Sequence, residues 1–188
     1  MGSILSKETR RQMLHTALGA GFLLVLLLMG RNALLFALSV AFIVGIFIIN
    51  QLIIGRLPVL KKIAGTFERK DAKFIGDSTV WYVSGLLICS AFLQDPNEIA
   101  AAIIALGIGD SFSNLFGRMG RVKIPWNMTK TFEGMAAFFA GTLLSYFFIG
   151  PAAVVFALAT AVVETLPQGI DDNFMIPIAS AIFFHVIV

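Results

Sequence analysis

Asp171, Asp172 and Asn173 stand together in a turn between two apolar runs, with Glu164 a few residues upstream. Adjacent carboxylates repel unless a cation relieves them, and clusters of hard oxygen ligands suit Mg²⁺. Pro167 and Gly169 break the preceding helix. Carrying a helix through both acids into a bilayer would cost about 2.5–3.5 kcal/mol per carboxylate on an insertion scale, so the turn belongs at an interface. A helix cap accounts for one of these acids, but not for two acids, an amide and Glu164 together. Metal or metal-nucleotide binding accounts for the set.

A second polar segment runs from Gly109 to Gly134. Asp110 closes an apolar run, which puts its carboxylate at the membrane surface, and Ser111, Ser113 and Asn114 follow within a helical turn. Gly117 and Gly120 bracket Arg118, while Arg121, Lys123 and Lys130 add cations. Glycines let backbone N–H groups approach phosphate oxygens, and Lys or Arg neutralises the charge. Lys130-Thr131 lies just ahead of a helix whose N-terminal dipole also favours an anion. A bias of cations toward one membrane face explains Arg118, Arg121 and Lys123, but not Asp110, Glu133 and the glycines. Carboxylates with bridging Mg²⁺, set opposite Lys and Arg, are the parts of a phosphoryl-transfer site. Neither the Gly-x-x-x-x-Gly-Lys-Ser/Thr phosphate loop nor the protein-kinase signatures occur.

These residues sit in a chain that is 58% hydrophobic and only 13% charged, the balance of an integral membrane protein. Apolar runs fall at about 12–29, 33–54, 75–94, 98–109, 132–149, 151–166 and 174–188. They predict an all-α bundle of about seven transmembrane helices, forming one domain over residues 1–188. With the N-terminus cytoplasmic and the C-terminus outside, 13 of the 14 Lys and Arg residues face inward and only Arg31 faces outward. Both polar segments then share the cytoplasmic face, where nucleotides are. Arg11 and His15 share one face of the first helix at i, i+4 spacing. The single cysteine, Cys89, excludes an intramolecular disulfide or a cysteine metal cluster.

Gly109-Asp110-Ser111, Gly117-Arg118 and Lys130-Thr131-Phe132-Glu133-Gly134 resemble the signature of CTP-using lipid enzymes. Two branches share it: the polyprenol kinases (dolichol kinase, phytol kinase and CTP-dependent diacylglycerol kinase) and the CDP-diacylglycerol synthases. Glu164, Asp171-Asp172-Asn173 and Pro177 resemble the kinase branch. So do Glu8, Arg10, Arg11 and His15, although Gln12 stands where the kinases usually carry a second basic residue. Glu68-Arg69 with Gly76, Tyr82 and Gly85 matches the kinase pattern more loosely. The glycine-rich aspartate motif that ends the synthases is not found.

The resemblance implies transfer of the γ-phosphoryl of CTP to a lipid alcohol (polyprenol, phytol-like isoprenoid or diacylglycerol), with Mg²⁺. It implies Asp110, Asp171 and Asp172 as metal ligands or base, and Glu133 as organiser of the loop or the metal. Lys130, Arg118 and Thr131 would hold phosphates, with Ser111, Asn114, Gly117, Lys123 and Asn173 as further nucleotide contacts. Arg11, His15, Glu68, Arg69 and Glu164 are accessory. The expected partners are CTP, the lipid alcohol and the bilayer, with a homodimer allowed and no nucleic acid. Two alternatives stay open: a CDP-lipid synthase, and a non-enzymatic membrane carrier. Carriers bind near the membrane midplane, whereas these acids are expected at helix ends on one side.

Overall fold

Helix α5 (Pro96–Gly117) is the axis of the bundle, with 72% of its apolar window buried against 11% for α2 (Arg31–Ile54). Its sequence explains that place. Asp95 caps the first turn by accepting from the Asn97 backbone N–H (2.8 Å), and Pro96 fills the first helical position. Every residue from Ile99 to Leu106 is buried. The alanines at 100–102 let neighbouring helices approach closely, as small residues do within membrane bundles. The computed structural model describes residues 2–65, 67, 74–167 and 169–187.

Around this axis stand α1 (Gly2–Met29), α2, α4 (Asp77–Phe92), α6 (Phe132–Ile149), α7 (Ala152–Thr165) and α8 (Asp172–Ile187). The short α3 (Pro58–Ala64) follows α2. Strands β1 (Lys123–Ile124) and β2 (Asn127–Thr131) pair as an antiparallel hairpin between α5 and α6. Packing runs in order from α1 through α2, α4, α8 and α7 to α6, while α5 touches α1, α4, α6 and α8. Large apolar side chains of α1 and α2, among them Leu28, Phe36, Ile43 and Phe47, point outward. That is the expected surface of helices bathed in lipid.

Each of the seven apolar runs forms a helix, but they differ in reach. Among the described residues, four helices are long and apolar enough to cross a membrane: Glu8–Met29, Arg31–Ile54, Pro96–Gly117 and Phe132–Ile149. Ala152–Thr165 and Asp172–Val186 are shorter apolar helices.

The fourth run departs most from expectation. Instead of ending at Gly109 with Asp110 at the surface, the helix passes through a π turn at Ala105–Gly109 and continues to Gly117. Asp110 is only 1% exposed. The cost that ends a span at a carboxylate applies to contact with hydrocarbon, whereas Asp110 faces other polar groups inside the bundle. The polar segment that follows Gly109 is therefore two turns of helix and then the hairpin.

Helices α4 and α8 pack closely at Gly85, where a Cβ would lie 2.8 Å from the Asn173 carbonyl oxygen and 3.1 Å from the Phe174 Cα. Backbone atoms cannot swing aside. Gly85→Ala is expected to cost about 1–3 kcal/mol by overpacking, read as a lower Tm of the detergent-solubilised protein.

Candidate active site

Three carboxylates from three helices converge. Asp110 on α5, Glu164 near the end of α7 and Asp172 at the start of α8 bring ligand oxygens within 4.8 Å of one another. Each is delivered by a local feature of the chain. Asp110 directly follows the π turn, a distortion that often marks functional positions. Glu164 lies in the last turn of α7, which ends where Leu166 turns extended ahead of Pro167. Asp172 opens α8 beside Asp171, whose Oδ1 accepts from the backbone N–H (2.9 Å) and the side-chain amide (2.7 Å) of Asn173.

Lys130 on β2 reaches into this group. Its Nζ donates to Glu164 Oε1 (2.5 Å) and Asp172 Oδ2 (2.7 Å), and Ser113 Oγ donates to the same Glu164 oxygen (2.7 Å). The hairpin is pinned to α7: Trp126 Nε1 donates to Thr165 Oγ1 (3.3 Å) and Asn127 Nδ2 to the Thr165 carbonyl (3.1 Å). Thr131 closes the hairpin and caps α6, accepting from the Gly134 N–H (3.1 Å) while donating to the Gly117 carbonyl (3.1 Å).

Burial works against the Lys130 charge, but Glu164, Asp172 and Asp110 outweigh it and raise its pKa above the usual lysine value. The sign follows directly. A raised lysine keeps its charge throughout the ordinary lysine range and loses it, and the ion pairs with it, as pH climbs through the raised value. Lys130 is therefore expected to resist amine-reactive labelling at mildly alkaline pH, where the exposed Lys61 and Lys62 react. Peptide mapping by mass spectrometry checks this.

The acids outnumber their counter-charge. When all three carboxylates are ionised, one ammonium leaves two negative charges, the charge of one divalent cation. Asp110 Oδ1 and Glu164 Oε2 are buried without a hydrogen-bond partner. A buried carboxylate oxygen with no donor is costly, and a hard divalent ion such as Mg²⁺ is the ligand that relieves it. The residues present fit such an ion. Beside them opens a cavity of about 710 Å³, walled by Arg118, Asn114, Asn127, Thr129, Lys130, Thr131 and Asp171, with Leu166, Pro167 and Ile170 on its apolar side.

The sequence candidates sort by position. Asp110, Asp172, Lys130 and Glu164 meet, and Arg118, Asn114, Gly117, Thr131 and Asp171 line the cavity or its floor. Asp171 caps α8 and is not among the three converging carboxylates. Glu133 holds the hairpin, accepting from the backbone N–H of Arg121 (2.8 Å) and Val122 (3.2 Å), and does not join that cluster. Ser111 turns toward α1, accepting from Thr16 (3.0 Å) and donating to the Gln12 carbonyl (3.3 Å), and Lys123 is exposed away from the cavity. Asn114 donates to the Asp110 carbonyl (2.9 Å), while Asn173 is buried with Oδ1 unpartnered. Gly117 serves close approach of helices: its Cβ would lie 3.3 Å from the Gly134 Cα, so a side chain there would push α5 off α6.

Arg118 pairs with Glu8 (2.8 Å), which also pairs with the buried Arg11. His15 is buried against Tyr82, ring centroids 5.1 Å apart. Glu68 and Arg69 lie outside the described residues. Glu164 moves from the periphery to the centre, and its signal was in the sequence: it is the sole charge in the run 151–166. Asn127 and Thr129 line the cavity without having been singled out for it, while Ser113, named in the polar segment, bonds Glu164, and Glu8, named with the kinase pattern, pairs with Arg118.

The chain is 26% identical over 182 residues to an uncharacterized protein of Methanocaldococcus jannaschii, covering 95% of this chain and 93% of that one. It is 29% identical over 209 residues to a probable phytol kinase 3, chloroplastic, of Glycine max, covering 98% and 64% of the two chains. A probable phytol kinase, chloroplastic, of Triticum aestivum is 29% identical over 135 residues, covering 61% of this chain and 45% of its own. The chain thus spans about half to two thirds of the length of these two plant proteins. No family model matches, and no solved structure matches.

Proposed function

We propose that this chain is a CTP- and Mg²⁺-dependent kinase that transfers the γ-phosphoryl group to a membrane lipid alcohol at the cytoplasmic face. In this reading all seven apolar helices lie in the membrane, with the N-terminus inside and the C-terminus outside. The observation that carries it is the trio of buried Asp110 and Glu164 with half-buried Asp172, bridged by Lys130 and open to a polar cavity large enough for a nucleotide. The likeness to two proteins named as probable phytol kinases supports the same reading, with a long-chain isoprenoid alcohol as the favoured acceptor.

Asp110, Glu164 and Asp172 would hold Mg²⁺, which would neutralise charge developing on the transferring phosphoryl group. Lys130 and Arg118 hold the phosphates from the hairpin side, and the Thr131 cap orients the α6 N-terminus toward them. The lipid hydroxyl oxygen attacks the γ-phosphorus, the bond to the β-phosphate bridging oxygen breaks, and CDP leaves. A carboxylate oxygen of the trio that the ion leaves free accepts the hydroxyl proton. Catalysis is mostly positioning and charge stabilisation, so little covalent machinery is required.

The test is turnover by purified protein in nanodiscs with Mg²⁺, CTP and a panel of phytol, polyprenols and diacylglycerol. Lipid monophosphate should form from at least one alcohol and vanish on chelation of Mg²⁺. Absence of phosphorylated lipid from every alcohol would sink the kinase reading.

A further inference from the structure

A second chamber of about 130 Å³ lies between α1 and the start of α4, walled by Arg11, His15, Ser78 and Thr79, with Leu14 and Phe67 supplying apolar surface. Its charge is opposite in sign to that of the carboxylate cavity. Glu8 is shared by two guanidinium groups, Arg11 and Arg118, so it is not devoted to Arg11 alone. Arg11 is 3% exposed, yet its Nη1 has no hydrogen-bond partner. A buried guanidinium N–H without an acceptor is costly, and an anionic oxygen is the ligand that answers it most strongly. Ser78 and Thr79 add hydroxyl donors to the same wall.

The chamber adjoins the reaction centre. The α1 turn that carries Arg11 and His15 also holds Ser111, next to Asp110, through the Gln12 carbonyl (3.3 Å) and the Thr16 hydroxyl (3.0 Å). Tyr82 on α4 donates to the His15 carbonyl (3.1 Å), fixing the opposite wall. In size the chamber matches about four water molecules at roughly 30 Å³ each, room for one tetrahedral oxyanion but not for a nucleotide.

We propose that this chamber binds the phosphate group of a lipid phosphomonoester, with Arg11 as its principal contact. It is an anion subsite on the lipid side of the centre, separate from the nucleotide cavity. Leu14 and Phe67 would flank the first carbons of the lipid chain. The choice of ligand rests on the lipid-kinase reading, because that reaction makes such a phosphomonoester.

The test uses a local reporter. Cys89 is the only cysteine and is buried, so Thr79→Cys places the one accessible thiol at the chamber wall. Maleimide labelling of this variant in nanodiscs is timed without nucleotide, in the presence of an isoprenyl monophosphate, the parent alcohol or inorganic phosphate. The monophosphate is expected to slow labelling about tenfold, the order set by one charge-assisted hydrogen bond, while the alcohol has no effect. Adding Arg11→Gln should abolish the protection. Protection by inorganic phosphate as well would support the anion site with free phosphate as a sufficient occupant; protection by the monophosphate alone would support it with the lipid chain required. Equal labelling in all conditions, equal protection by alcohol and monophosphate, or protection that survives Arg11→Gln would each overturn the proposal. The first comparison needs no Arg11 variant, so it decides the matter even if that variant does not fold. Labelling requires no turnover, so failure of the kinase assay leaves this result readable.

Discussion

Lys130→Met is expected to lower turnover by about 10²–10³-fold, the scale of losing one preorganised charge stabiliser, and to destabilise the apo-protein by about 3–5 kcal/mol. The second effect follows from burial. Lys130 donates to Glu164 (2.5 Å) and Asp172 (2.7 Å), and Glu164 is 1% exposed, so removing the ammonium leaves carboxylates packed together without a counter-charge. A cation can substitute for it. The Tm of Lys130→Met should therefore rise with Mg²⁺ more steeply than that of the parent protein, because its carboxylates have lost their internal partner. Lys130→Arg should fall between the two, since a planar guanidinium keeps the charge but cannot place it as a point between two carboxylates. Thermal unfolding in detergent with a Mg²⁺ titration reads both effects. A Lys130→Met variant as stable as the parent, with the same Mg²⁺ response, would mean that the carboxylates do not act as one electrostatic unit.

Glu164→Gln should fold and fail. The amide oxygen can still accept from Ser113 and Lys130, as Glu164 Oε1 does. The amide NH₂ then takes the place of Oε2, presenting a donor where the buried cluster has an unpartnered acceptor. A donor facing a cation is repulsive, so the Mg²⁺ concentration for half-maximal activity should rise about 10–100-fold, on the scale of losses at metal sites. The expected contrast is Asp171→Asn. Asp171 caps α8, and Asn caps a helix about as well as Asp, so this variant should retain most of its activity and stability. Parallel Mg²⁺ titrations of turnover distinguish the two. Equal losses at Glu164 and Asp171 would contradict the division between a converging trio and a cap.

The helical bundle was legible because apolar runs of this length have few other fates. Its limits came from residues whose burial depends on distant partners. Asp110 reads as a boundary when hydrocarbon is assumed on the far side; with Lys130 supplied from a hairpin twenty residues on, the same carboxylate lies inside a continuous helix. The π turn at Ala105–Gly109 has no periodic signature, because it changes hydrogen bonding without changing composition. Ser111 and Gly117 suit phosphate contacts and helix packing equally well by residue type, and only tertiary placement shows Ser111 bonded to α1 and Gly117 against Gly134. Glu164 carried a readable signal, as a lone acid in an apolar run, but its meeting with Asp110 and Asp172 joins three helices that no local pattern links.

The central claim, phosphoryl transfer to lipid at the Asp110, Glu164 and Asp172 cluster, is tested most directly by following label from CTP into lipid. The protein in nanodiscs is given its acceptor alcohol, Mg²⁺, and CTP carrying label on either the γ- or the α-phosphate. The expected result is γ label in the lipid, one phosphate per molecule, lost in Glu164→Gln at limiting Mg²⁺, and no α label in the lipid. Appearance of α label in the lipid would contradict the account and assign the same site to cytidylyl transfer.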